Sequence, residues 1–343
     1  MVAAVIRTAK FASWLQQQWR CTTPWHMLLI PLSWLFGALS LLRRLLYKTG
    51  LLQAQQLTVP VIIIGNINVG GTGKTPLVIW LAQQLAAHGW RPGIISRGYG
   101  GHADTPQAVS AQSDVHMTGD EPRLLAQRVS CPVWIGRDRP AAGRALLAAH
   151  PQTNILISDD GLQHYALART VEVIAIDSVL GLGNARLLPA GPLRESADRL
   201  QQVDAVVINQ TGARHSSIPM SPHTYVMQLS GLDFHHLQHP DRRANAADFS
   251  AQHIHAVAGI GHPQRFFDQL TALGLNVIPH AFPDHHPYAA TDLDLTGIII
   301  MTEKDAVKCQ PFSTEHMWVW PVQAQLAPEF LPHLLAKLGN YHG

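Results

Sequence analysis

Glycines, a lysine and two threonines are concentrated between positions 65 and 76, in the segment GNINVGGTGKTP. Glycine lets backbone N–H groups converge on phosphate oxygens, the ammonium of Lys74 suits the β- and γ-phosphates, and the hydroxyl of Thr75 suits Mg²⁺. An apolar run precedes the segment and a helical pattern follows it, as in a P-loop. We therefore predict that a nucleoside triphosphate and Mg²⁺ bind at Asn68, Val69, Gly70, Gly71, Thr72, Gly73, Lys74 and Thr75.

Asn68 stands where the P-loop consensus has its first glycine. Asn also tolerates a left-handed backbone, so we expect the loop to keep its conformation. Pro76 fits the first turn of the following helix, where N–H groups have no helical partner. The competing interpretation is a glycine-rich turn that binds no ligand.

Two adjacent aspartates, Asp159 and Asp160, follow the apolar run NILIS. In a parallel sheet such residues emerge at the carboxyl edge, beside a P-loop. We predict that one of them holds Mg²⁺, directly or through water. The alternative interpretation is that they cap a helix that begins at Gly161.

Acidic and imidazole side chains also occur in two loops. Asp120 and Glu121 precede an apparent helix that starts near Arg123. They either complement the end of that helix or supply a general base and a carboxylate next to the metal. Asp284 and the two histidines that follow it come after an apolar strand, and they form either a solvated pair or part of a catalytic group.

Two arginines lie in Gly/Pro-rich loops after predicted strands. They are Arg97 in SRGYGG and Arg194 in LPAGPLRE. Both are candidates for contact with a phosphate group, although arginines are common on any protein surface.

Short apolar runs alternate with helical patterns from Val59 onward. The runs are β-branched and apolar on both faces, as buried parallel strands are, and they span residues 59–67, 91–99, 154–160, 171–177 and 204–210. Residues 75–88 predict an amphipathic helix that Gly89 ends. This repeating pattern predicts an α/β fold with a P-loop NTPase-like, doubly wound and mostly parallel sheet.

A turn-rich segment, TGARHSSIPMSP at residues 211–222, predicts a linker. Beyond it, apolar runs predict the strands of a second, smaller α/β domain at residues 253–261, 276–282 and 297–305. We therefore predict three parts of the chain: an N-terminal apolar helical segment at 1–50, a P-loop core at 51–215 and the smaller C-terminal domain at 216–343.

The longest apolar run covers residues 27–42 and is interrupted by Pro31, Ser33 and Gly37. A helix of that length would span ~24 Å at ~1.5 Å per residue, less than the ~30 Å hydrocarbon core of a membrane. Three interpretations stay open: a helix packed on the protein's own core, a helix lying in the bilayer interface, and a single membrane span. Cations on both sides of the run and the neighbouring tryptophans favour the interfacial position.

The overall composition narrows the classes of function. Hydrophobic residues make up 47% of the 343 residues and charged residues only 14%, so a membrane surface or an apolar substrate fits the chain. The net charge of +2 is too small for the electrostatic footprint of a nucleic-acid-binding protein. The 3 cysteines are far apart and odd in number, which suits a reducing cytosol rather than a disulfide framework.

Several long motifs occur in order from about residue 24 to the end of the chain. They are GNINVGGTGKTP, ISRGYGG, GDEP, SDDGLQHYALAR, LLPAGPLRE, AGIGHPQRFF and MTEKDAVKC. Together they resemble the tetraacyldisaccharide 4′-kinase family of Gram-negative bacteria. The resemblance implies ATP-dependent phosphorylation of the 4′-hydroxyl of a tetraacylated glucosamine disaccharide 1-phosphate. It also implies a peripheral enzyme on the cytoplasmic face of the inner membrane, with no obligatory protein partner.

The resemblance also assigns roles to individual residues. It implies that Asp120 and His285 form the catalytic pair, with Lys74 facing the transferred group and His286 as the competing histidine. The candidate metal-side residues are then Thr75, Asp159, Asp160 and Glu121, and the candidate substrate contacts are Arg97, His164 and Arg194.

Two other classes of P-loop protein compete with the lipid kinase. A regulatory GTPase needs an Asn-Lys-x-Asp element for guanine, and in Thr302-Glu303-Lys304-Asp305 the Lys and Asp are adjacent rather than separated by one residue. A synthetase or partition-type ATPase without a lipid substrate would not need the N-terminal apolar segment.

Overall fold

A computed structural model describes residues 18–339 except residues 20, 102–104, 213 and 216. Residues 1–17 of the predicted N-terminal segment therefore lie outside the described residues. The helices are α1 (Pro24–Lys48), α2 (Lys74–Ala87), α3 (Val115–Thr118), α4 (Asp120–Arg128), α5 (Arg139–Ala149), α6 (Pro263–Ala272), α7 (Glu303–Cys309) and α8 (Phe330–Leu338). Short 3₁₀ helices span Ala197–Gln201, Ala246–Phe249, Ala290–Leu293 and Gln310–Phe312.

The strands are distributed over two sheets. They are β1 (Val61–Gly65), β2 (Pro92–Ser96), β3 (Gln107–Val109), β4 (Val133–Ile135), β5 (Ile155–Asp159), β6 (Val171–Asp177), β7 (Ala205–Asn209), β8 (Thr224–Gly231), β9 (Phe234–His236), β10 (Arg243–Ala244), β11 (His253–Ala258), β12 (Asn276–Ala281), β13 (Ile298–Thr302), β14 (Met317–Trp320) and β15 (Val322–Leu326).

The first sheet has nine strands in the order β15-β8-β7-β6-β1-β5-β2-β4-β3. From β8 to β4 the strands are parallel, whereas β15 and β3 pair antiparallel at the two edges. Helix α2 covers one face with Leu77 and Leu81, and α5 covers the other with Leu146. Because both faces are covered, the central strands are buried throughout, which confirms the predicted doubly wound, mostly parallel sheet.

The second sheet has six strands in the order β10-β9-β14-β13-β11-β12. Strands β12, β11, β13 and β14 are parallel. Three of them, β11, β12 and β13, coincide with the predicted strands at 253–261, 276–282 and 297–305, whereas β14 was not predicted. Helix α6 packs Phe266, Phe267 and Leu270 against one face of this sheet.

The C-terminal third of the chain contributes to both sheets. Strand β8 extends the first sheet, β15 pairs with β8, and α8 packs beside α2 with Phe330 5.8 Å from the ring of Trp80. The division of the chain at residues 215 and 216 stays a proposal. The strands of the second sheet run from β9 to β14 along the chain, so these two strands bound the smaller unit.

Helix α1 is longer than the apolar run suggested, with 25 residues that continue through Pro31. At ~1.5 Å per residue it spans about 37 Å, so the estimate of a helix too short to cross a membrane was wrong. Ser33 and Gly37 do not interrupt it but face the body of the protein. The hydroxyl of Ser33 donates to the carbonyl of Leu187 at 2.9 Å, and a Cβ on Gly37 would lie 2.7 Å from Leu187 Cδ1.

The opposite side of α1 is exposed to solvent. Only 11% of the most apolar part of this helix is buried. The interpretation as a helix packed on the protein's own core is therefore wrong. By length and composition α1 meets the criteria for crossing a membrane, a test that buried core helices and signal sequences also pass. The large exposed side chains are Met27, Leu28, Leu32, Trp34, Leu35, Leu39, Leu41, Leu42 and Leu45.

Candidate active site

The P-loop joins the end of β1 to the start of α2, as the sequence predicts. Gly73 adopts a left-handed conformation with φ 84° and precedes the first helical residue, Lys74. A Cβ added to Gly70 or Gly71 would meet no atom within 4 Å, so the backbone of the loop is open on that side. The hydroxyl of Thr72 is buried and has no hydrogen-bond partner among the described residues. An open loop with an unused hydroxyl at a helix N-terminus fits the phosphate groups of a nucleotide.

Asn68 does not need the left-handed backbone that we expected of it, because its φ is not positive. Its side chain instead donates to the carbonyl of Gly181 at 3.2 Å, while Asn66 donates to the carbonyl of Asn68 at 2.7 Å. The first position of the loop is therefore held by amide hydrogen bonds rather than by conformational freedom.

Asp159 and Asp160 lie beside the P-loop but have different surroundings. Asp160 has φ 49°, lies 3.3 Å from Lys74 Nζ and 3.6 Å from Arg194 Nη1. Burial would raise the pKa of Asp160, but the charges of Lys74 and Arg194 lower it below its ordinary value. Residues 161–166 form turns, so the alternative that these aspartates cap a helix at Gly161 is wrong.

Asp159 is buried at the end of β5. It accepts a hydrogen bond from Ser96 Oγ at 3.2 Å, and its Oδ1 has no partner among the described residues. Burial, together with the negative charges of Glu121 and Asp160, raises the pKa of Asp159 to about 7. A cation bound here would offset this repulsion.

Arg139 is a site residue that the sequence did not indicate. It begins α5, is 1% exposed, and donates from Nη2 to the carbonyl of Asp159 at 3.1 Å. Burial lowers the pKa of Arg139 to about 10, and it remains a cation. In the sequence it looks like an ordinary first-turn residue of a helix, so no local pattern distinguishes it.

The residues predicted for Mg²⁺ fit that ion by their chemistry. Mg²⁺ prefers oxygen ligands and keeps several waters, so one or two carboxylates with substrate phosphates suffice. The described residues contain no cluster of three or more His, Cys, Asp or Glu side chains arranged to hold a metal. The oxygens of Thr75, Asp159, Asp160 and Glu121 would thus act together with nucleotide phosphates rather than as a closed protein site.

Asp120 and His285 are in direct contact, although they come from opposite units of the protein. Asp120 is the first residue of α4 and is 4% exposed, and His285 Nδ1 lies 2.9 and 3.0 Å from its two carboxylate oxygens. Burial would raise the pKa of Asp120, but the hydrogen bond with His285 and the charge of Lys304 lower it to about 2. Burial acts to lower the pKa of His285, yet the bond to Asp120 raises it overall.

His286, the competing choice, faces away from Asp120. Its Nε2 lies 3.1 Å from Asp292 Oδ2, and its ring packs against Phe282 and Tyr288. The backbone of His285 has φ 58°, which is rare outside glycine and turns the two neighbouring imidazoles to different sides.

Lys304 connects the catalytic candidates to the metal-side acids. Its Nζ lies 3.1 Å from Glu121 Oε1, 2.9 Å from Asp284 Oδ1 and 3.3 Å from His285 Nε2. The exposed Asp284 is therefore paired with Lys304, and its distance to His285 Nε2 is longer, at 3.8 Å. The segment 302–305 that we compared with a guanine-binding element lies here, as the last residue of β13 and the first turn of α7.

The loop after β11 approaches the P-loop closely. A Cβ on Gly261 would lie 3.2 Å from the backbone N of Gly71 and 3.7 Å from Asp284 Oδ2. P-loop, acids and catalytic candidates thus share one cleft. A cavity of about 220 Å³ opens beside the pair and is lined by Tyr99, Asp120, Arg123, His285, Lys308 and Phe312, among others.

The three candidate substrate residues are linked to Asp160 directly or through His164. Arg194 contacts it, and the exposed Arg97 lies close enough to His164 to affect its charge. Burial and the positive charges of Arg139 and Arg97 lower the pKa of His164 to about 4, so it is neutral at physiological pH. The positive charge of Arg43 on α1 also lowers the pKa of His164.

Comparison with known proteins agrees with this architecture. The family model of tetraacyldisaccharide-1-phosphate 4′-kinase (LpxK) matches residues 25–339. The chain is 50% identical over 330 residues to the tetraacyldisaccharide 4′-kinase of Methylobacillus flagellatus, covering 96% of both chains. It is also 50% identical to that of Azoarcus sp., covering 93% of this chain and 94% of the relative.

A solved structure shows the same fold. The crystal structure of LpxK from Aquifex aeolicus in complex with ATP superposes with a TM-score of 0.77 at 28% identity, covering 91% of this chain and 98% of the other. Identity of this extent over nearly the whole length, together with the shared fold, identifies the chain as a member of the tetraacyldisaccharide 4′-kinase family.

Proposed function

We propose that this protein is the tetraacyldisaccharide 4′-kinase of lipid A biosynthesis in its organism. It transfers the γ-phosphoryl group of ATP to the 4′-hydroxyl of a tetraacylated glucosamine disaccharide 1-phosphate, giving lipid IVA. The observation that supports this most directly is the placement of an open P-loop and the Asp120–His285 pair in one cleft. Such a cleft suits a reaction between a nucleotide and a second, alcohol substrate.

The phosphate groups are positioned by the P-loop. Its backbone N–H groups and Lys74 surround the triphosphate, and the dipole of α2 favours negative charge at that end. Phosphoryl transfer has a loose transition state, so positioning and charge stabilisation supply most of the rate. Mg²⁺, when bound, would add a positive charge on the phosphate oxygens, held from the protein side by Thr75, Asp159, Asp160 and Glu121.

Proton transfer is assigned to Asp120 with His285. The 4′-oxygen attacks the γ-phosphorus, the bond from that phosphorus to the β–γ bridging oxygen breaks, and ADP leaves. The hydroxyl proton passes to the Asp120 carboxylate, late in the transfer because a carboxylate of low pKa is a weak base. With its proton on Nδ1, His285 donates to the carboxylate and thereby orients it.

The lipid is received between the cleft and α1. The exposed apolar side of α1 would lie in the cytoplasmic face of the inner membrane, while the Ser33 side holds the protein body against it. Arg97, Arg194 and His164 then face the sugar phosphate at the membrane surface. Neither a nucleic acid nor an obligatory protein partner is part of this proposal.

Transfer of labelled phosphate from γ-labelled ATP to the lipid disaccharide 1-phosphate in mixed micelles tests the proposal. We expect labelled lipid with the wild type and none above background with Lys74→Ala, because the cation facing the transferred group is lost. Lys337→Ala, which removes a lysine paired with Asp204 at 3.2 Å on the surface, should match the wild type. Wild-type hydrolysis of ATP without labelled lipid, or full lipid labelling by Lys74→Ala, would contradict the assignment.

A further inference from the structure

Asn209, the last residue of β7, packs against the P-loop. A Cβ on Gly73 would lie 2.5 Å from Asn209 Nδ2 and 3.1 Å from Met227 Cε, so the amide touches the backbone just before Lys74. The side chain is 2% exposed, and its Oδ1 accepts no hydrogen bond from any described residue. A buried carbonyl oxygen without a donor is costly, which indicates that a bound ligand supplies the donor.

The order of the strands tells on which side of the P-loop the base of the nucleotide lies. Beside β1 on one side is β5, which carries the acids of the phosphoryl-transfer site. On the other side are β6 and then β7, whose carboxyl ends are in register at Asp177 and Asn209. Ligands of such sheets lie across the carboxyl ends of the strands. With the γ-phosphate directed toward β5, the base extends toward β7.

The segment after β7 is held in place by its backbone. The N–H of Gln210 donates to the carbonyl of Met227 at 2.8 Å, and the N–H of Thr211 donates to Ser178 Oγ at 3.0 Å. Gln210 and Gly212 are nevertheless exposed. A fixed backbone with accessible residues on both sides of Thr211 is suited to recognition of a flat, polar ring.

We infer that residues 209–212, Asn-Gln-Thr-Gly, form the base-recognition loop, and that the absence of a carboxylate at Gly212 makes the site prefer adenine to guanine. The inference rests on the proposed use of ATP. Adenine presents an amino donor next to ring acceptors, which an amide side chain matches with its own acceptor and donor. Guanine presents two adjacent donors, N1–H and the 2-amino group, which call for a carboxylate.

Gly212 stands at the position that a guanine-binding carboxylate would occupy. In the Asn-Lys-x-Asp element of GTP-binding proteins the carboxylate stands three residues after the Asn, which is position 212 when Asn209 is the first residue. A Cβ on Gly212 would have Val179 Cγ2 as its nearest neighbour at 3.1 Å, and Val179 is 45% exposed and free to yield. The position therefore has room for an aspartate.

Equilibrium binding of ATP, GTP and inorganic tripolyphosphate to the full-length protein, measured by calorimetry, tests the inference. We expect Asn209→Ala to raise the Kd for ATP about 10-fold and to leave the Kd for tripolyphosphate unchanged, because tripolyphosphate contacts only the P-loop. Gly212→Asp should shift the ratio of GTP to ATP affinity about 10-fold toward GTP. Gly212→Asn, of the same size without the charge, should not.

Two results would overturn the inference. Equal losses of ATP and tripolyphosphate binding in Asn209→Ala would mean that Asn209 only supports the P-loop. An unchanged GTP/ATP ratio in a folded Gly212→Asp protein would place the base elsewhere. A wild type that prefers ATP in these measurements but phosphorylates no lipid would instead contradict the proposed function and leave the base-recognition loop standing.

Discussion

Asp120 and His285 lie 165 positions apart and come from different sheets, yet their side chains are within hydrogen-bond distance. Each is held by further charges, Asp120 by Lys308 at 3.7 Å and His285 by Lys304 at 3.3 Å from Nε2. Because the Lys304 ammonium can only donate, Nε2 accepts, and the proton of a neutral His285 is on Nδ1, directed at Asp120. In the proposed mechanism, the histidine therefore orients the carboxylate toward the substrate.

Loss of the Asp120 carboxylate should be severe and specific to the chemical step. We expect Asp120→Asn to lower kcat about 10²–10⁴-fold while the Kd for ATP stays nearly constant, as is typical when a general base is removed. For the histidine we choose His285→Asn, because Asn tolerates the positive φ that alanine would strain. Steady-state kinetics and nucleotide binding on the same preparations provide the measurement.

The double variant shows whether Asp120 and His285 act as one catalytic unit or as two independent groups. If Asp120 and His285 act together, combining both substitutions should be hardly worse than the more damaging single one. Multiplicative losses would show independent roles. His286→Asn is the matched control, because its histidine pairs with Asp292 instead. If His286→Asn were the damaging variant, the pair would be assigned to the wrong histidine.

The same pair predicts a pH dependence of stability. The pKa of Asp120 falls from 3.8 to about 2 on folding, so its contribution is present above pH 3.8 and is lost as the pH falls toward 2. The pKa of His285 is raised above 6.5, so its contribution is complete below 6.5 and is lost as the pH rises through the folded value. The difference in unfolding free energy between wild type and His285→Asn should therefore be largest between these limits.

Urea denaturation of both proteins across that pH range measures the difference. His239→Asn is a suitable control, because this histidine is 63% exposed and 3.8 Å from the exposed Glu315. A wild-type advantage that is constant from acid to alkaline pH would mean that the two groups do not interact through charge.

In the first sheet, strands with both faces buried were predictable from the sequence, and strands with an exposed face were not. Strands β1 and β5 are buried throughout and appear as unbroken apolar runs. Strand β8 alternates between buried and exposed residues and β15 lies at an edge, so neither shows such a run. The three-residue strands β3 and β9 are too short for any period to show.

The site residues also differ in how far the sequence alone predicts them. The P-loop is local in sequence and was predicted from residue types and spacing alone. Arg139, Lys304 and Arg43 are single cations whose roles depend on what the fold brings to them. A buried guanidinium behind Asp159 has the same sequence signature as a surface arginine.

Helix α1 contacts the protein body through Ser33, and we propose that its exposed apolar side contacts the membrane. The two roles can be tested one at a time. Leu28, Leu35 and Leu39 are between 56 and 82% exposed. Each leucine buried in lipid contributes roughly 1.5–3 kcal/mol, so replacing all three by Asp should reduce partition into anionic vesicles by at least about 100-fold. Binding of ATP should not change, since all three side chains lie on the exposed side of α1.

Vesicle sedimentation gives the partition, and the triple Leu→Ala variant is the control for the number of substitutions. It retains an apolar surface and should lose less binding than the aspartate variant. Full sedimentation of the aspartate variant would show that α1 is not the anchor. Point variants are preferable to deletion of residues 1–48, because deletion would also remove Ser33 from its bonds to Leu187 and Ala190.

At the scale of the whole molecule, the cleft exists only while the two sheets keep their relative position. Helix α4 of the first unit packs on α7 of the second, with Arg123 donating to the carbonyl of Val307 at 3.1 Å and Arg128 paired with Glu303. On the other side of the cleft, both Nη atoms of Arg265 on α6 contact the carboxylate of Asp177 at the end of β6. These contacts flank the P-loop from both sides.

Breaking the Arg265–Asp177 pair should cost more unfolding free energy than breaking the contacts between α4 and α7, because Asp177 is fully buried. Removing one partner of a buried pair leaves an uncompensated charge and typically costs 3–5 kcal/mol, so Arg265→Leu should lower the unfolding free energy by about that amount. Asp177→Asn in the same chain should recover part of the loss, since the remaining charge is then gone.

Arg265 lies on the element that brings Gly261 to the P-loop, so the KM for ATP should also rise in the single variant. Chemical denaturation and kinetics of Arg265→Leu, Arg265→Lys and the double variant measure both effects, and a loss below about 1 kcal/mol in Arg265→Leu would show that the pair does not hold the units together.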